Sequence, residues 1–414
     1  MRVISNFHFW YAITWTMCLI AYSWGWSELN QPLRPDLLTF FWLSIVMSTL
    51  ILVVQLGRGA ANDDRDVVLR SARDGKRDGR SVTVMFVIGF ALDFAYQGAI
   101  PFFRGGYTGF DITAQIQSTV GIPVLHVVLI GGAIFFALER SDRFFVQRSR
   151  SYALQFVVIQ ILLLLNNSRG YITFCVIGAL LLFALRKFSD EGRMRPQILV
   201  LAAIGGVVVL FGIGVFGNIR SGSSWWDSSH ISHLGRYQDR YPGWLSEQFQ
   251  WAYTYFTSPL ANLNLNLSVR PVDGSLTQVW LAFLPDTFGK YFVAERVNVV
   301  YLVSYLNAST GYVVPYYLGG GVPALYVFYI LQVVLLELGA FLARKIGTAV
   351  ALFQVCASVI VIVFVFYNSF SDAATCFLIP LALAVGLVRR RRVEKKTAGG
   401  QQVGRAGAPP LRRA

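Results

Sequence analysis

Three arginines lie at the borders between long apolar runs and polar segments of the chain. Arg104 follows a Pro-Phe-Phe tripeptide, Arg169 lies in a short turn between two apolar runs, and Arg220 comes where another run ends. The guanidinium group presents a rigid fork of donors that fits phosphate oxygens. Arginines beside apolar helices also extend to lipid headgroups without binding a ligand. Because three of them recur in the same kind of position, we predict a phosphate-binding site.

A hydroxyl group that attacks a substrate needs a base to accept its proton. Five carboxylates in the polar segment 218–320 have the right chemistry for that role, and residue type alone does not choose among them: Asp227, Asp239, Glu247, Asp273 and Asp286. The base therefore stays unassigned at this point.

Metal and cofactor chemistry has little support in the sequence. His230 and His233 are three residues apart and can meet on one helix face, but two histidines without a third ligand make a weak metal site. The chain contains no phosphate-binding GxxxxGK[ST] loop, no GxSxG elbow and no HExxH motif. Its four cysteines are isolated within apolar runs, as small buried residues would be. We predict neither a metal nor a cofactor.

Two carboxylates lie inside apolar runs, where an unpaired charge is costly. They are Asp93 and Glu337, and each is either a functional residue or an internally hydrogen-bonded one. The isolated His8 and His126 have no sequence neighbour that suggests a catalytic role. For His126, just inside an apolar run, we expect a satisfied polar contact.

The composition indicates a membrane protein. Of the 414 residues, 55% are hydrophobic and only 14% are charged, whereas soluble domains carry about 25% charged residues. Apolar runs of about 20 residues recur along the whole chain, which is the length that a bilayer-spanning helix needs. Lipid offers the backbone no hydrogen bonds, so these runs are predicted to be helices.

The lysines and arginines cluster in short loops between the apolar runs, which indicates how the predicted helices are oriented in the membrane. The net charge of +14 is therefore explained by membrane topology, and we do not predict nucleic acid as a partner. Ten spans with a cytoplasmic N-terminus place 27 of the 36 lysines and arginines on the cytoplasmic side. The other nine are Arg34, Arg104, Arg169, Arg220, Arg236, Arg240, Arg270, Lys290 and Arg296. The predicted spans are 8–26, 36–56, 82–100, 121–139, 151–167, 170–186, 197–217, 321–343, 348–367 and 373–388.

The sequence thus predicts an all-α polytopic membrane protein of about ten transmembrane helices. Residues 1–388 form the membrane domain, and 389–414 are predicted to be a disordered, basic cytoplasmic tail. One large periplasmic loop, 218–320, is rich in aromatic residues, which suit sugar rings and the membrane interface alike. Its partly apolar stretches 249–269 and 275–293 are predicted to be interfacial or re-entrant helices.

Four groups of short motifs follow one another between residues 95 and 340. They are Gly98-Ala99-Ile100-Pro101 with Arg104-Gly105-Gly106-Tyr107 and Gly121-Ile122-Pro123-Val124-Leu125-His126; Ser168-Arg169-Gly170; Gly217-Asn218-Ile219-Arg220 with Tyr253-Thr254-Tyr255-Phe256-Thr257-Ser258-Pro259; and Asn307-Ala308-Ser309-Thr310 with Tyr316-Tyr317-Leu318-Gly319-Gly320-Gly321. In these motifs and their order, the chain resembles the O-antigen polymerases, the Wzy-type oligosaccharide repeat-unit polymerases of bacterial envelopes.

The resemblance implies a glycosyltransferase of the bacterial inner membrane that uses no nucleotide sugar. Such an enzyme moves a growing glycan from undecaprenyl diphosphate onto a new lipid-linked repeat at the periplasmic face. Arg169 and Arg220 would contact the diphosphate, and the cleft would be lined by Arg104, Asn167, Tyr255 and Asn307. The implied partners are the lipid-linked oligosaccharide, membrane lipids, a chain-length regulator and a flippase. The product would be O-antigen, capsule or exopolysaccharide.

Two other functions remain open from the sequence. An O-antigen ligase, which transfers finished glycan to the lipid A core, also has a large outer loop with arginine and histidine, and His230 and His233 are compatible with it. A flippase for lipid-linked oligosaccharides would need a charged central cavity and short loops. The long segment 218–320 favours a transferase over a flippase.

Overall fold

A computed structural model of the chain describes residues 3–57, 80–104, 121–122, 124–166, 168–191, 196–269, 272, 274–289, 291–292, 299–303 and 308–391. Within these residues the regular structure is helical, with no strand, as the apolar runs predicted. The long helices are α1 Phe7–Ser23, α2 Pro35–Gly57, α3 Arg80–Gln97, α5 Leu125–Gln147, α6 Arg150–Leu165, α7 Arg169–Glu191, α8 Pro196–Arg220, α10 Phe249–Val269, α13 Val322–Ile346, α14 Val350–Val363 and α15 378–391. The short helices are α4 Pro101–Arg104, α9 Ser229–Leu234, α11 Asp286–Gly289 and α12 Val313–Leu318, with 3-10 turns at Gln238–Arg240 and Leu276–Phe283.

Each predicted span overlaps a helix, and α5 differs most from its prediction, because it ends at Gln147, eight residues past the predicted boundary at 139. The helix α14 stops at Val363, four residues before its predicted end, and α15 continues to 391, past the predicted boundary at 388. The rest of the predicted tail, and most of the loop 57–81 that was predicted to be cytoplasmic, lie outside the described residues.

In the described part of the chain, three helices are long and apolar enough to cross a membrane: Pro35–Gly57, Gly170–Lys187 and Val322–Ile346. Shorter apolar helices accompany them, at Arg150–Leu165, Ile204–Ile219 and Val350–Val363. Large apolar side chains also face outward, with Met85 69% exposed, Val208 63% and Ile330 58%. Exposed apolar surface on this scale, around several helices, is typical of a protein that contacts lipid.

Hydrogen bonds and ion pairs between helix termini show which termini lie at the same end of the bundle. At what we call the basic end, α1 begins and α2 finishes, since Asn6 Nδ2 donates to Gln55 Oε1 over 2.6 Å. The C-terminal parts of α5 and α7 meet there through Arg186 and Asp142, at 2.6 Å. The opposite end, here the loop end, contains the α1–α2 connection and most of the segment 218–321.

Two parts of the segment 218–320, α10 and the residues around Tyr312, are buried more deeply in the bundle than a surface loop would be. Most of α10 is buried, and this helix packs against α1, α8 and α12. Tyr312, just before α12, is fully buried among aromatic rings of three helices and of the residue after α14: Trp15, Phe40, Phe328 and Phe364. Its hydroxyl is 2.7 Å from that of Tyr11, so the polar atom is satisfied inside the core.

Candidate functional site

The three arginines singled out in the sequence all stand at helix ends on the loop end of the bundle. Arg104 is the last residue of α4, which packs against α6. Arg169 begins α7 directly after the turn that follows α6, and Arg220 ends α8. Asn218, two residues before Arg220, accepts a hydrogen bond from Trp251 of α10 at 2.7 Å. The backbone therefore brings Arg104 and Arg169 to neighbouring helices, while Arg220 belongs to the α8–α10 pair.

Much of the predicted site lies beyond what the structure describes. The side chains of Arg104, Arg169 and Arg220 are outside the described part, as are Asn167 and Asn307 entirely. Tyr255 is described: it lies on α10, half-buried, with its ring stacked on Trp251 at a centroid distance of 6.1 Å.

A polar contact fixes the helix turn that carries Arg169. The Tyr171 hydroxyl, two residues further along α7, donates to Asp372 Oδ1 over 3.0 Å. The backbone N–H and hydroxyl of Thr375 donate to the other carboxylate oxygen, at 3.0 and 2.9 Å. Burial raises the pKa of Asp372. These bonds connect the start of α7 to the segment that leads into α15, so the position of the Arg169 backbone is set by two elements.

An aromatic surface lies where the α1–α2 connection meets α10. Trp24 stacks on Trp26 at a centroid distance of 4.5 Å, and Trp26 contacts Tyr253 at 4.9 Å. The Tyr253 hydroxyl accepts hydrogen bonds from the backbone N–H of Trp26 and from Asn30 Nδ2, at 3.1 and 2.8 Å. These bonds hold the α1–α2 connection against α10. Trp24 is 52% exposed and so offers a ring face to solvent, to a sugar or to lipid headgroups.

A small polar cavity adjoins this aromatic surface. Asn30, Thr254, Thr257 and Ser258 contribute to its lining, and the Ser258 hydroxyl is buried with no hydrogen-bond partner among the described residues. The cavity volume is about 10 Å³, which is room for about one water molecule. A sugar ring does not fit in a cavity of this size.

Three of the five predicted carboxylates are described, and all three lie on the surface of the protein. Asp227, Asp239 and Glu247 are exposed. Hydrogen bonds from Ser229 hold the pKa of Asp227 below its usual range, which weakens it as a base. Asp273 and the side chain of Asp286 lie outside the described residues.

The two histidines of the large segment lie on the short helix α9. His230 is half-buried and its ring stacks on Trp251 at 6.5 Å, while His233 is exposed. Across the described stretches, no three His, Cys, Asp or Glu side chains are placed to share a metal ion.

A buried histidine–carboxylate pair lies at the loop end of α3 and α5. Asp93 of α3 is fully buried and contacts His126 Nδ1 of α5 at 2.7 Å. The carboxylate also accepts from the backbone N–H of Ile122 and from Gln97 Nε2, at 2.8 and 2.9 Å. Asp93 is therefore hydrogen-bonded inside the bundle, which is compatible with both roles that the sequence left open for it. The sequence predicted a polar contact for His126 without naming the partner, because the two residues are 33 positions apart and no local spacing links them.

A second pair of this kind lies at the basic end. His8 Nε2 of α1 is 2.9 Å from Glu337 Oε1 of α13, and Gln55 Nε2 donates to the same oxygen at 2.7 Å. His8 is thus not isolated, and Glu337 is hydrogen-bonded inside the bundle. The 329 positions between the partners leave no signal that a sequence pattern could detect.

Compared with protein-family models, with curated proteins and with solved structures, the chain matches none of them.

Proposed function

We propose that this protein polymerises oligosaccharide repeat units carried on undecaprenyl diphosphate, at the periplasmic face of the bacterial inner membrane. The observation that supports the proposal most is the common location of three helix ends. The ends that carry Arg104, Arg169 and Arg220 all belong to the loop end, where the aromatic surface of Trp24, Trp26 and Tyr253 also lies. A lipid-linked diphosphate needs cations at headgroup depth, and its glycan needs ring faces just above them.

The chemistry requires stabilisation of a leaving diphosphate. Negative charge develops on the phosphate oxygens as the bond to the sugar breaks, and fixed guanidinium groups stabilise that charge more than they stabilise the intact ester. In the proposal, Arg169 and Arg220 contact the diphosphate, and Arg104, Asn167, Tyr255 and Asn307 line the cleft for the glycan. The diphosphate ester itself supplies the driving force, so no nucleotide is needed.

The proposed topology has ten transmembrane helices, with both termini in the cytoplasm and the segment 218–320 on the periplasmic side. It is supported by the grouping of helix ends, because the ends rich in lysine and arginine share the basic end of the bundle. Helices α10 and α12 are then parts of the periplasmic half that enter the bundle from one side. Membrane lipids, a chain-length regulator and a flippase are the partners that such an enzyme would work with.

An O-antigen ligase is the second candidate, favoured by the half-buried His230 stacked on Trp251 near the end of α8. The two functions differ in acceptor: a polymerase extends lipid-linked glycan, and a ligase transfers finished glycan to the lipid A core. A flippase is the third possibility, and it differs from both because it forms no glycosidic bond.

The test compares the glycans of a strain that lacks the gene with those of the same strain carrying wild-type protein. We expect single-repeat glycan without the protein and a ladder of lengths with it. Long lipid-linked polymer that never reaches the surface would indicate a ligase, and single repeats trapped on the cytoplasmic face would indicate a flippase.

Variants of the arginines test the diphosphate contact. Arg220→Ala should abolish the ladder, and Arg169→Lys should reduce polymerisation about 10- to 100-fold, because lysine keeps the charge but loses the second hydrogen bond of the fork. Arg240→Ala, an exposed arginine of the same segment, is the matched control and should polymerise normally. Full activity of Arg169→Ala would rule out the phosphate role of that residue.

A further inference from the structure

The buried pair of Asp93 and His126 has the arrangement of an oriented proton acceptor. Asp93 is 0% exposed, whereas the His126 side chain is 20% exposed. The carboxylate takes three donors, from Ile122, Gln97 and His126, so its negative charge is stabilised in the interior by hydrogen bonds. A carboxylate held so firmly fixes the orientation of the imidazole ring beside it.

The contact also determines which ring nitrogen carries the proton. Next to an ionised carboxylate, Nδ1 is the donor, and a neutral imidazole then has its lone pair on Nε2. His126 Nε2 makes no hydrogen bond within the described part of the chain, so this atom is available to accept a proton from a substrate. A buried carboxylate on Nδ1 and a reactive Nε2 together form the base half of many hydrolase and transferase sites.

The location of the pair matches the proposed diphosphate site. Gln97, which donates to Asp93, ends α3, and α4 with Arg104 begins four residues later. The helix α3 packs against α5 and α6, and α4 packs against α6, whose following turn leads to Arg169. Two of the three arginines therefore belong to the same group of helices as the pair.

We propose that His126 is the general base of the polymerisation reaction and that Asp93 is its positioning residue, an inference that rests on the proposed function. The acceptor hydroxyl oxygen forms a bond to the anomeric carbon of the donor glycan. The bond between that carbon and the diphosphate oxygen breaks, and the diphosphate leaves with the electron pair. The hydroxyl proton passes to His126 Nε2, Asp93 stabilises the imidazolium ion, and the proton then leaves to water.

The described carboxylates of the large segment are weaker candidates for this role. Asp227, Asp239 and Glu247 are exposed, so water and counter-ions solvate them and nothing aims them at an acceptor. The competing explanation is structural. Asp93 hydrogen-bonds the backbone before α5 and so holds it against α3, and the contact with His126 only adds a second hydrogen bond between the same two helices. The substitution His126→Asn separates the explanations, because it keeps a donor to Asp93 and removes only the Nε2 acceptor.

In His126→Asn, the side-chain amide lies where Nδ1 was, so the donor to Asp93 is retained and the Nε2 acceptor is lost. We expect turnover by this variant to fall at least about 100-fold, with KM within about threefold and an unchanged melting temperature. Asp93→Asn should reduce turnover about 10-fold or more. The assay uses the full chain in phospholipid vesicles with a synthetic undecaprenyl-diphosphate oligosaccharide, and it counts the repeats that are joined.

Chemical rescue distinguishes a catalytic from a structural role of His126, because added base restores turnover only if the missing group was a base. Turnover by His126→Ala should rise with added imidazole, which supplies a free base in the space left by the ring. Elongation by wild type together with full turnover in His126→Asn would overturn the assignment of the base and leave the proposed function standing. A low turnover in His126→Ala that imidazole does not change would also overturn it. A wild-type chain that joins no repeats would overturn both proposals.

Discussion

At the scale of single residues, the pair of Asp93 and His126 depends on Gly121, which lies against the Asp93 carboxylate. A Cβ atom at Gly121 would collide with both carboxylate oxygens of Asp93. The adjacent residue, Ile122, gives its backbone N–H to the same carboxylate. The chain before α5 can approach Asp93 only because position 121 has no side chain, so this glycine is required by space and not by its backbone angles.

Gly121→Ala should destabilise the protein by about 1–3 kcal/mol, as overpacking of a filled interior does, and should lower polymerisation through displacement of Asp93. Thermal unfolding in detergent and the glycan ladder measure the two effects. Gly212→Ala is the control: a Cβ there meets nothing within 4 Å, and alanine favours the helix α8. Equal stability of the two variants would contradict the packing argument.

At the scale of elements, α10 organises the loop end through asparagines that face the following segment. Asn262 donates to the Ala308 carbonyl over 2.7 Å and accepts from the Leu302 N–H at 2.9 Å. Asn266 pairs in the same way with both backbone groups of Val300, at 2.7 and 2.9 Å. Both asparagines are fully buried. Their amides replace the partners that an irregular backbone would otherwise lack inside the protein.

Asn262→Ala should leave the Leu302 N–H and the Ala308 carbonyl buried without partners. We expect a loss of about 2–4 kcal/mol of stability, since each orphaned group costs about 1–3 kcal/mol, and faster proteolysis of the segment after α10. Ser268→Ala, an exposed position at the end of the same helix, should behave as wild type. If protease cuts both variants at the same rate, the asparagines do not hold this segment.

At the scale of the whole molecule, charge separates the two ends of the bundle. Buried ion pairs gather at the basic end, where Glu139 of α5 accepts from Arg143 at 2.7 Å and from Arg389 of α15 at 2.5 Å. The last helix is thereby tied to the middle of the chain. The loop end has fewer lysines and arginines, among them Arg104, Arg169 and Arg220, and it exposes aromatic rings that suit the membrane interface.

This asymmetry predicts the orientation in the membrane. A reporter fused after Gly222 should give a periplasmic signal, and one fused after Gly347, in the turn between α13 and α14, should give a cytoplasmic signal. Alkaline phosphatase fusions are active when the fusion point is periplasmic, and green fluorescent protein fusions are fluorescent when it is cytoplasmic. The same signal at both sites would refute the alternation of the helices, and a reversal of the two signals would refute the cytoplasmic N-terminus.

The sequence by itself determined that the described part of the chain is helical and where its long helices lie. Apolar length and the positions of lysine and arginine are local properties, and lipid and the backbone act on them directly. The partners of Asp93, His8 and Glu337 were decided by the tertiary structure, because each is completed by a helix distant in sequence. The burial of α10 and Tyr312 was decided there too. In sequence, a polar segment cannot be distinguished from a surface loop. It can be buried only where other elements supply hydrogen-bond partners for its amides and hydroxyls, and those partners are known only from the tertiary structure.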